Sequence, residues 1–305
     1  MTARLLRSVI LALGMCSVIW FAWFVLQGKP GWALSGALFL LFSPAVVLAI
    51  EFAWMALANR ADPAPALSLG LWARAWFGEV LTSLRVFGWT QAFRSRRWPD
   101  RPTTVRGGSG LVLVHGFFCN RGVWNGWMAR LQEAGVPYIA PTLEPTLASI
   151  DDYVVQVEDA VERIEAATGC PPVVVGHSMG GLVARAWWAR HGRPGRVRRI
   201  LTIGTPHHGT LTARWGHGQN AAQMRRHSGW LRSLASSEAG SPPPLTCFYS
   251  HGDNIVFPAS TASMPDADNL HLQAVGHVRM VDHPQIWSEA LRWRQPSPST
   301  PDRVD

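Results

Sequence analysis

The stretch 173–181, VVVGHSMGG, decides the fold. Pro172–Val175 reads as a short buried strand, and Met179–His191 reads as a helix rich in Ala, Leu and Trp. Between them, Gly176-His177-Ser178-Met179-Gly180 is a G-x-S-x-G turn. Small residues on either side of the serine let such a turn close sharply, which projects the hydroxyl from the strand end. The pentapeptide alone is common. The competing reading is a glycine-rich turn without chemistry, but a strand before it and a helix after it give it a specific structural meaning.

The same alternation extends both ways along the chain. Leu111–Val114, Pro137–Ala140, Val197–Ile203 and Leu245–Ser250 read as strands. Helical stretches lie around Trp124, Trp127, Met128 and Leu131, over 150–167, and over Pro284–Arg294. The helix over 150–167 has Ser149 as its N-cap, Asp151 and Asp152 in its first turn, and Gly169 as its stop. Strands alternating with helices predict an α/β fold with a mostly parallel, doubly wound sheet. Such sheets gather their active residues at the carboxyl ends of the strands.

A serine hydroxyl is a weak nucleophile and needs a base, which an acid must orient. After a strand–turn–helix serine these partners follow in the order acid, then histidine. Asp253 lies just past the strand Leu245–Ser250, and His277 sits in AVGHVRMVDHP before the last helix. Asp266, Asp268 and Asp282 compete as the acid. Asp266 and Asp268 fall in a polar loop, and Asp282 lies near the start of the last helix. His271 and His283 compete as the base, but neither follows a glycine at a strand end. The expected triad is Ser178, Asp253 and His277. An oxyanion formed at Ser178 needs backbone N–H donors. Met179, directly after the nucleophile, and Phe117, in the loop His115-Gly116-Phe117-Phe118, are the expected pair. His115 reads as a residue that orders this loop.

LVLVHGFFCN, VVVGHSMGGLVAR, LTIGTPHHGT, CFYSHGDNIVFP and GHVRMVDHP together resemble the α/β-hydrolase superfamily, and within it the small bacterial lipase and esterase branch. The five segments occur in the right order and cover roughly residues 108–292. The resemblance implies serine-dependent hydrolysis of carboxylic esters through an acyl-enzyme. Only a few residues of that matched region precede the first strand, so the usual opening antiparallel hairpin is missing, as in the smallest lipases. His207 and His208 of GTPHHGT are read as structural or pocket-lining. No metal-binding spacing surrounds them, and neither a metal nor an organic cofactor is expected.

Residues 211–243 connect two strands and exceed an ordinary connection. Asn220–Ser236 is read as a helix and a candidate lid, with an ordinary surface helix as the alternative. Phe118, Trp124, Trp215, Trp230 and Phe257 are candidates for an apolar substrate pocket, each of which is equally a plain core residue by composition. Cys119, Cys170 and Cys247 lie outside the expected spans, and Cys170 and Cys247 are too separated in the expected sheet for a disulfide, in keeping with a reducing compartment.

The first half of the chain differs in kind. The chain has 305 residues and a net charge of +8, yet charged residues make up only 16%, against ~25% in ordinary soluble domains. No charge falls between Arg7 and Lys29, nor between Lys29 and Glu51. Each gap is long enough to cross the ~30 Å hydrocarbon core as a helix. Residues 1–60 are therefore expected to form a transmembrane hairpin with spans at about 8–27 and 32–50, turning at Gly28-Lys29-Pro30-Gly31. A cleaved signal peptide is the rival for the first run, but that run is too long and a second follows at once. Arg4, Arg7 and Arg60 lie outside the hairpin and Lys29 at its tip, which predicts that the ends face the cytoplasm.

Residues 61–107 are read as a linker and an amphipathic helix over 71–89. Trp72, Trp76, Phe77, Val80, Leu81, Leu84 and Phe87 fall on one side, and Arg74, Glu79, Thr82 and Arg85 on the other. That pattern suits a helix lying among lipid headgroups or one packed on the following domain. Residues 108–295 would be the hydrolase domain and 296–305 a disordered tail. The arginines are scattered and no nucleic-acid-binding motif occurs, so the expected partners are a lipid bilayer and a hydrophobic ester, not nucleic acid. The expectation is a membrane-anchored serine ester hydrolase in a bacterial inner membrane. The alternatives are an acyltransferase or thioesterase with the same triad, and a non-catalytic membrane scaffold.

Overall fold

The computed structural model describes residues 1–103 and 108–294; the predicted tail lies outside them. Six strands form one sheet: β1 (Leu111–Val114), β2 (Tyr138–Ile139), β3 (Val173–His177), β4 (Arg199–Ile203), β5 (Leu245–Ser250) and β6 (Asp268–Leu272). Their order is β2-β1-β3-β4-β5-β6, and each neighbouring pair is parallel. Every residue of β1 and β3 is buried, as expected for strands covered on both faces, which therefore lack polar alternation. The chain leaves β1 toward β2 on one side and returns to β3 on the other. The loops after β1 and β3 thus diverge at a topological switch point, where open α/β sheets place ligands.

Strand β6 corrects the sequence reading of Asp268 as a loop residue. DNLHL carries no apolar run because it is an edge strand with Asp268 and Asn269 exposed. At the opposite edge, Arg101 makes an isolated antiparallel bridge to Tyr138.

The helices are α1 (Thr2–Leu26), α2 (Pro30–Ala58), α3 (Leu69–Arg85), α4 (Gln91–Phe93), α5 (Asn125–Glu133), α6 (Val154–Thr168), α7 (Met179–His191), α8 (Gln219–Gln223), α9 (Gly229–Glu238) and α10 (Pro284–Arg294). One face of the sheet packs on α6 and α7 through Val157, Val161, Leu182 and Trp187. The other packs on α5 and α10 through Trp127, Leu131, Ile286 and Ala290. Ser149 caps the 3₁₀ turn leading into α6 through a full capping box with Asp152.

The helix expected over Asn220–Ser236 is instead two, α8 and α9. His227 takes φ = 57° and breaks the helical path, and Ser228 then restarts it by accepting from the Leu231 N–H. Helix α9 docks through Leu231 and Leu234. Its Glu238 forms a buried two-bond pair with Arg185 of α7 at 2.9 and 2.5 Å.

Helices α1 and α2 are long and apolar enough to cross a membrane. At 1.5 Å per residue their 25 and 29 residues span about 37 and 43 Å, more than a hydrocarbon core requires. Helix α1 begins before its predicted span and α2 passes both ends of its own, and Pro30 and Gly31 belong to α2 rather than the turn. Large apolar side chains along both are exposed, among them Leu11, Val18, Phe39 and Phe42. Pro44 inside α2 removes the N–H that would bond the Leu40 carbonyl. The Ser43 hydroxyl donates to that carbonyl instead, at 2.8 Å. The open end of the helix pair meets the loops beside the sheet, with Trp54 edge-on to Trp215 and to Phe257.

Helix α3, capped by Ser68, packs inward through Ala75, Gly78 and Glu79, while Phe77 and Leu81 are 58% and 53% exposed. Glu79, read as part of the polar face, is thus buried, and part of the apolar stripe is not. Small residues set the direction of close approach, and the Glu79 carboxylate finds partners inside. Trp72 and Trp76 instead face α2 and donate to the Phe52 and Ala45 carbonyls.

Candidate active site

Ser178 sits at the junction of β3 and α7 with φ = 55° and ψ = −126°. A non-glycine residue in such backbone geometry is strained, by about 1–3 kcal/mol, and persists only where its surroundings impose it. The impositions are visible. The Ser178 N–H donates to the Ile203 carbonyl at 2.8 Å, and the Thr205 hydroxyl donates to the Ser178 carbonyl at 2.9 Å. At Gly180 a Cβ would stand 2.3 Å from the Val114 carbonyl oxygen, so only glycine lets α7 start this close to β1.

The loop after β1 backs onto the serine: a Cβ on Gly116 would lie 2.8 Å from the Ser178 Cβ. His115 is buried and holds this loop, its Nε2 accepting from the Leu143 N–H at 2.9 Å. Burial pushes its pKa down to about 4, so the ring is neutral. Phe118 takes φ = 53° and meets Phe117 edge-on at 4.7 Å. Among the described residues, the backbone N–H groups of Phe117 and Met179 have no hydrogen-bond acceptor.

Asp253, in the loop after β5, and His277, in the loop after β6, are joined by a 2.9 Å bond in which Nδ1–H donates to Oδ2. The other Asp253 oxygen accepts from the Ile255 and Val256 N–H groups. His177, the residue before Ser178, lies ring to ring with His277 at 4.7 Å. Its Nε2–H donates to the His277 carbonyl at 3.2 Å, so the end of β3 and the histidine loop meet. The competing acids are elsewhere: Asp268 pairs with Arg199 and Asp282 with Arg85, and Asp266 is exposed.

Burial disfavours a charged His277, but the Asp253 carboxylate outweighs it, aided by the Glu79 and Glu51 charges, and the pKa stands above 6.5. His177 is held well below 6.5, first by burial and then by the His277 charge. These neighbouring imidazoles are thus shifted in opposite directions, His277 toward holding a proton and His177 away from it.

The five candidate pocket residues do not converge. Phe118 alone borders the serine loop. Trp124 is fully buried in the core beside Trp127, edge-on at 5.5 Å, a correction to its reading as a pocket residue. Trp215 and Phe257 pack on Trp54 of α2, and the Trp230 indole donates to Asp151 at 2.7 Å. His207 is buried between Thr202 and Arg185. No group of three or more His, Cys, Asp or Glu among the described residues is arranged to hold a metal ion. All four cysteines are free.

Sequence reasoning missed two residues at this site. Asn254 accepts from the His277 N–H at 3.2 Å, and its amide donates to Glu51 of α2 at 2.8 Å. Its position directly after the acid was the available signal. Glu79 accepts from the Val278 and Arg279 N–H groups at 2.8 and 3.0 Å; it lies almost two hundred residues from them, and nothing local marks it.

Comparison with known proteins agrees with this architecture. Residues 111–299 match the profile of the Alpha/beta hydrolase family. A curated AB hydrolase superfamily protein from Gibberella zeae is 31% identical over 103 residues, covering 32% of this chain and 36% of the relative. The match therefore spans about a third of that relative's length. The lipase BlEst2 of Bacillus licheniformis in mature form shares the fold, with a TM-score of 0.55 and 18% identity over 65% of this chain and 94% of that one. Aspergillus fumigatus lipase B does so with a TM-score of 0.54 and 21% identity, over 65% and 55%.

Proposed function

Since the chain belongs to the α/β-hydrolase family, we propose that it is a membrane-anchored serine hydrolase that cleaves carboxylic esters of hydrophobic, lipid-like alcohols or acids. The observation that carries the reading is the bonded Asp253–His277 pair brought to the end of the strand that presents a strained Ser178. Ser178 Oγ attacks the ester carbonyl carbon as His277 Nε2 takes its proton. Asp253 fixes the tautomer through Nδ1 and stabilises the imidazolium. The oxyanion is received by the Phe117 and Met179 N–H groups. The C–O bond then breaks, His277 returns the proton to the leaving alcohol, and the acyl group remains on Ser178. Water, deprotonated by His277, releases the acid and restores the serine.

The membrane part of the proposal rests on the two exposed apolar helices. Residues 1–60 would be the hairpin, with the bilayer as partner, and 108–295 the catalytic domain with 211–243 at its rim. The cations Arg4, Arg7 and Arg60 against Lys29 favour the cytoplasmic face of a bacterial inner membrane. The test is turnover of a short-chain p-nitrophenyl ester by full-length protein in detergent. Ser178→Ala is expected to lose on the order of 10⁶ in kcat, as nucleophile loss does in such triads; near-normal turnover would refute the proposal.

A further inference from the structure

We infer that Glu79, delivered by α3 from outside the hydrolase sheet, is a positioning residue that holds the His277 loop, so the N-terminal helices complete the active site as well as anchor it. The inference rests on the Ser178–His277–Asp253 reading.

Three geometric observations carry it. The Glu79 carboxylate accepts both backbone N–H groups that follow the histidine, Val278 at 2.8 Å and Arg279 at 3.0 Å. It is 1% exposed. The glycine before His277 exists to admit it: a Cβ on Gly276 would stand 2.5 Å from Glu79 Oε2 and 2.8 Å from its Cβ. The loop thus has carboxylate on two sides, Glu79 at its backbone and Asp253 at the ring. A third contact comes from α2, where Glu51 bonds Asn254 and Asn254 in turn accepts from the His277 N–H. Two helices of the N-terminal region therefore grip the acid loop and the base loop through hydrogen bonds, while the Arg279 guanidinium lies over Gly78 of α3.

A buried carboxylate is a costly means of merely packing a helix. Its use here is chemical. Two N–H donors to one carboxylate fix the backbone from which the imidazole projects. The negative charge also favours the imidazolium that forms when Ser178 gives up its proton. The groups facing His277 are Asp253 from the β5 loop, Glu79 from α3, Glu51 from α2 and the His177 ring from β3. Burial pushes the Glu79 pKa up to about 7, against the pull of the two N–H groups, so its charge is largely present only above neutral pH.

The experiment compares wild type, Glu79→Gln, Glu79→Asp and Ser178→Ala as full-length proteins in detergent micelles, measuring kcat and KM for a p-nitrophenyl ester across pH. Gln keeps the shape but replaces one acceptor with a donor aimed at an N–H. Hydrogen bonds to a charged group are worth enough that kcat should fall about tenfold or more, with KM unchanged and the acid limb of kcat/KM displaced to lower pH. Asp should hold that limb near its wild-type position with a smaller loss in kcat. Wild-type kcat in Glu79→Gln overturns the inference, and so does a fall in kcat with an unmoved limb, which would make Glu79 structural only. Should Glu79→Gln fail to fold, Glu79→Ala decides on the same limb: displacement to lower pH supports the role, and an unmoved limb overturns it. Turnover retained in Ser178→Ala overturns both the triad and this inference. An inactive Ser178→Ala beside an unaffected Glu79→Gln overturns the inference alone.

Discussion

At the scale of single residues, the site separates four carboxylates that look equivalent in composition. Asp253 accepts three donors and touches His277, whereas Asp268 and Asp282 face arginines and Asp266 faces water. Asp253→Asn should therefore lower kcat by about 10⁴, as loss of a tautomer-fixing acid does elsewhere, while the same change at Asp266, Asp268 or Asp282 leaves it near wild type. A larger loss at any of those three would reassign the acid. The pH dependence has a definite sign. His277 must be neutral to accept the serine proton, and its pKa stands above 6.5 because the Asp253 charge, with those of Glu79 and Glu51, overcomes burial. Turnover should fall as pH drops through that raised value, placing the acid limb of kcat/KM above pH 6.5. An acid limb below 6.5 would contradict this account of the histidine's surroundings.

At the scale of elements, α9 is joined to α7 by a buried pair, Arg185–Glu238. Removing one partner strands a charge in the core, so Glu238→Ala should destabilise the domain by about 3–5 kcal/mol. Chemical denaturation reads this directly, and a change below measurement error would show the pair to be solvated. Which elements were legible follows from how each is stabilised. Strands β1 and β3 are continuous apolar runs buried on both faces, and the elbow's glycines are dictated by backbone approach, so both were readable locally. Strand β6 was not, because an edge strand can carry Asp268, Asn269 and His271. The break between α8 and α9 turns on the backbone of His227, a residue with no turn signature. The histidine loop was found by the glycine before it, yet the reason for that glycine is Glu79, supplied by a helix whose pattern read as amphipathic. A contact across two hundred residues has no local trace.

At the scale of the whole molecule, two helices with exposed apolar surfaces meet the catalytic loops at their open end. Exposed apolar side chains along both helices are what the proposed bilayer would cover. Carbonate washing should leave the chain in the membrane pellet, and release to the supernatant would show that α1 and α2 do not span. On the proposed orientation, in which the cationic flanks favour the cytoplasmic side, protease added to intact spheroplasts should spare the domain; digestion there would reverse the orientation and leave the chemistry untouched. The proposed chemistry depends on one nucleophile, Ser178, working in the full-length chain. Its most direct test is labelling of native membranes with a fluorophosphonate, followed by mapping of the modified peptide. The account predicts a single adduct on Ser178, absent in Ser178→Ala and slowed in Glu79→Gln. An adduct on another residue, or labelling that persists in Ser178→Ala, would contradict it.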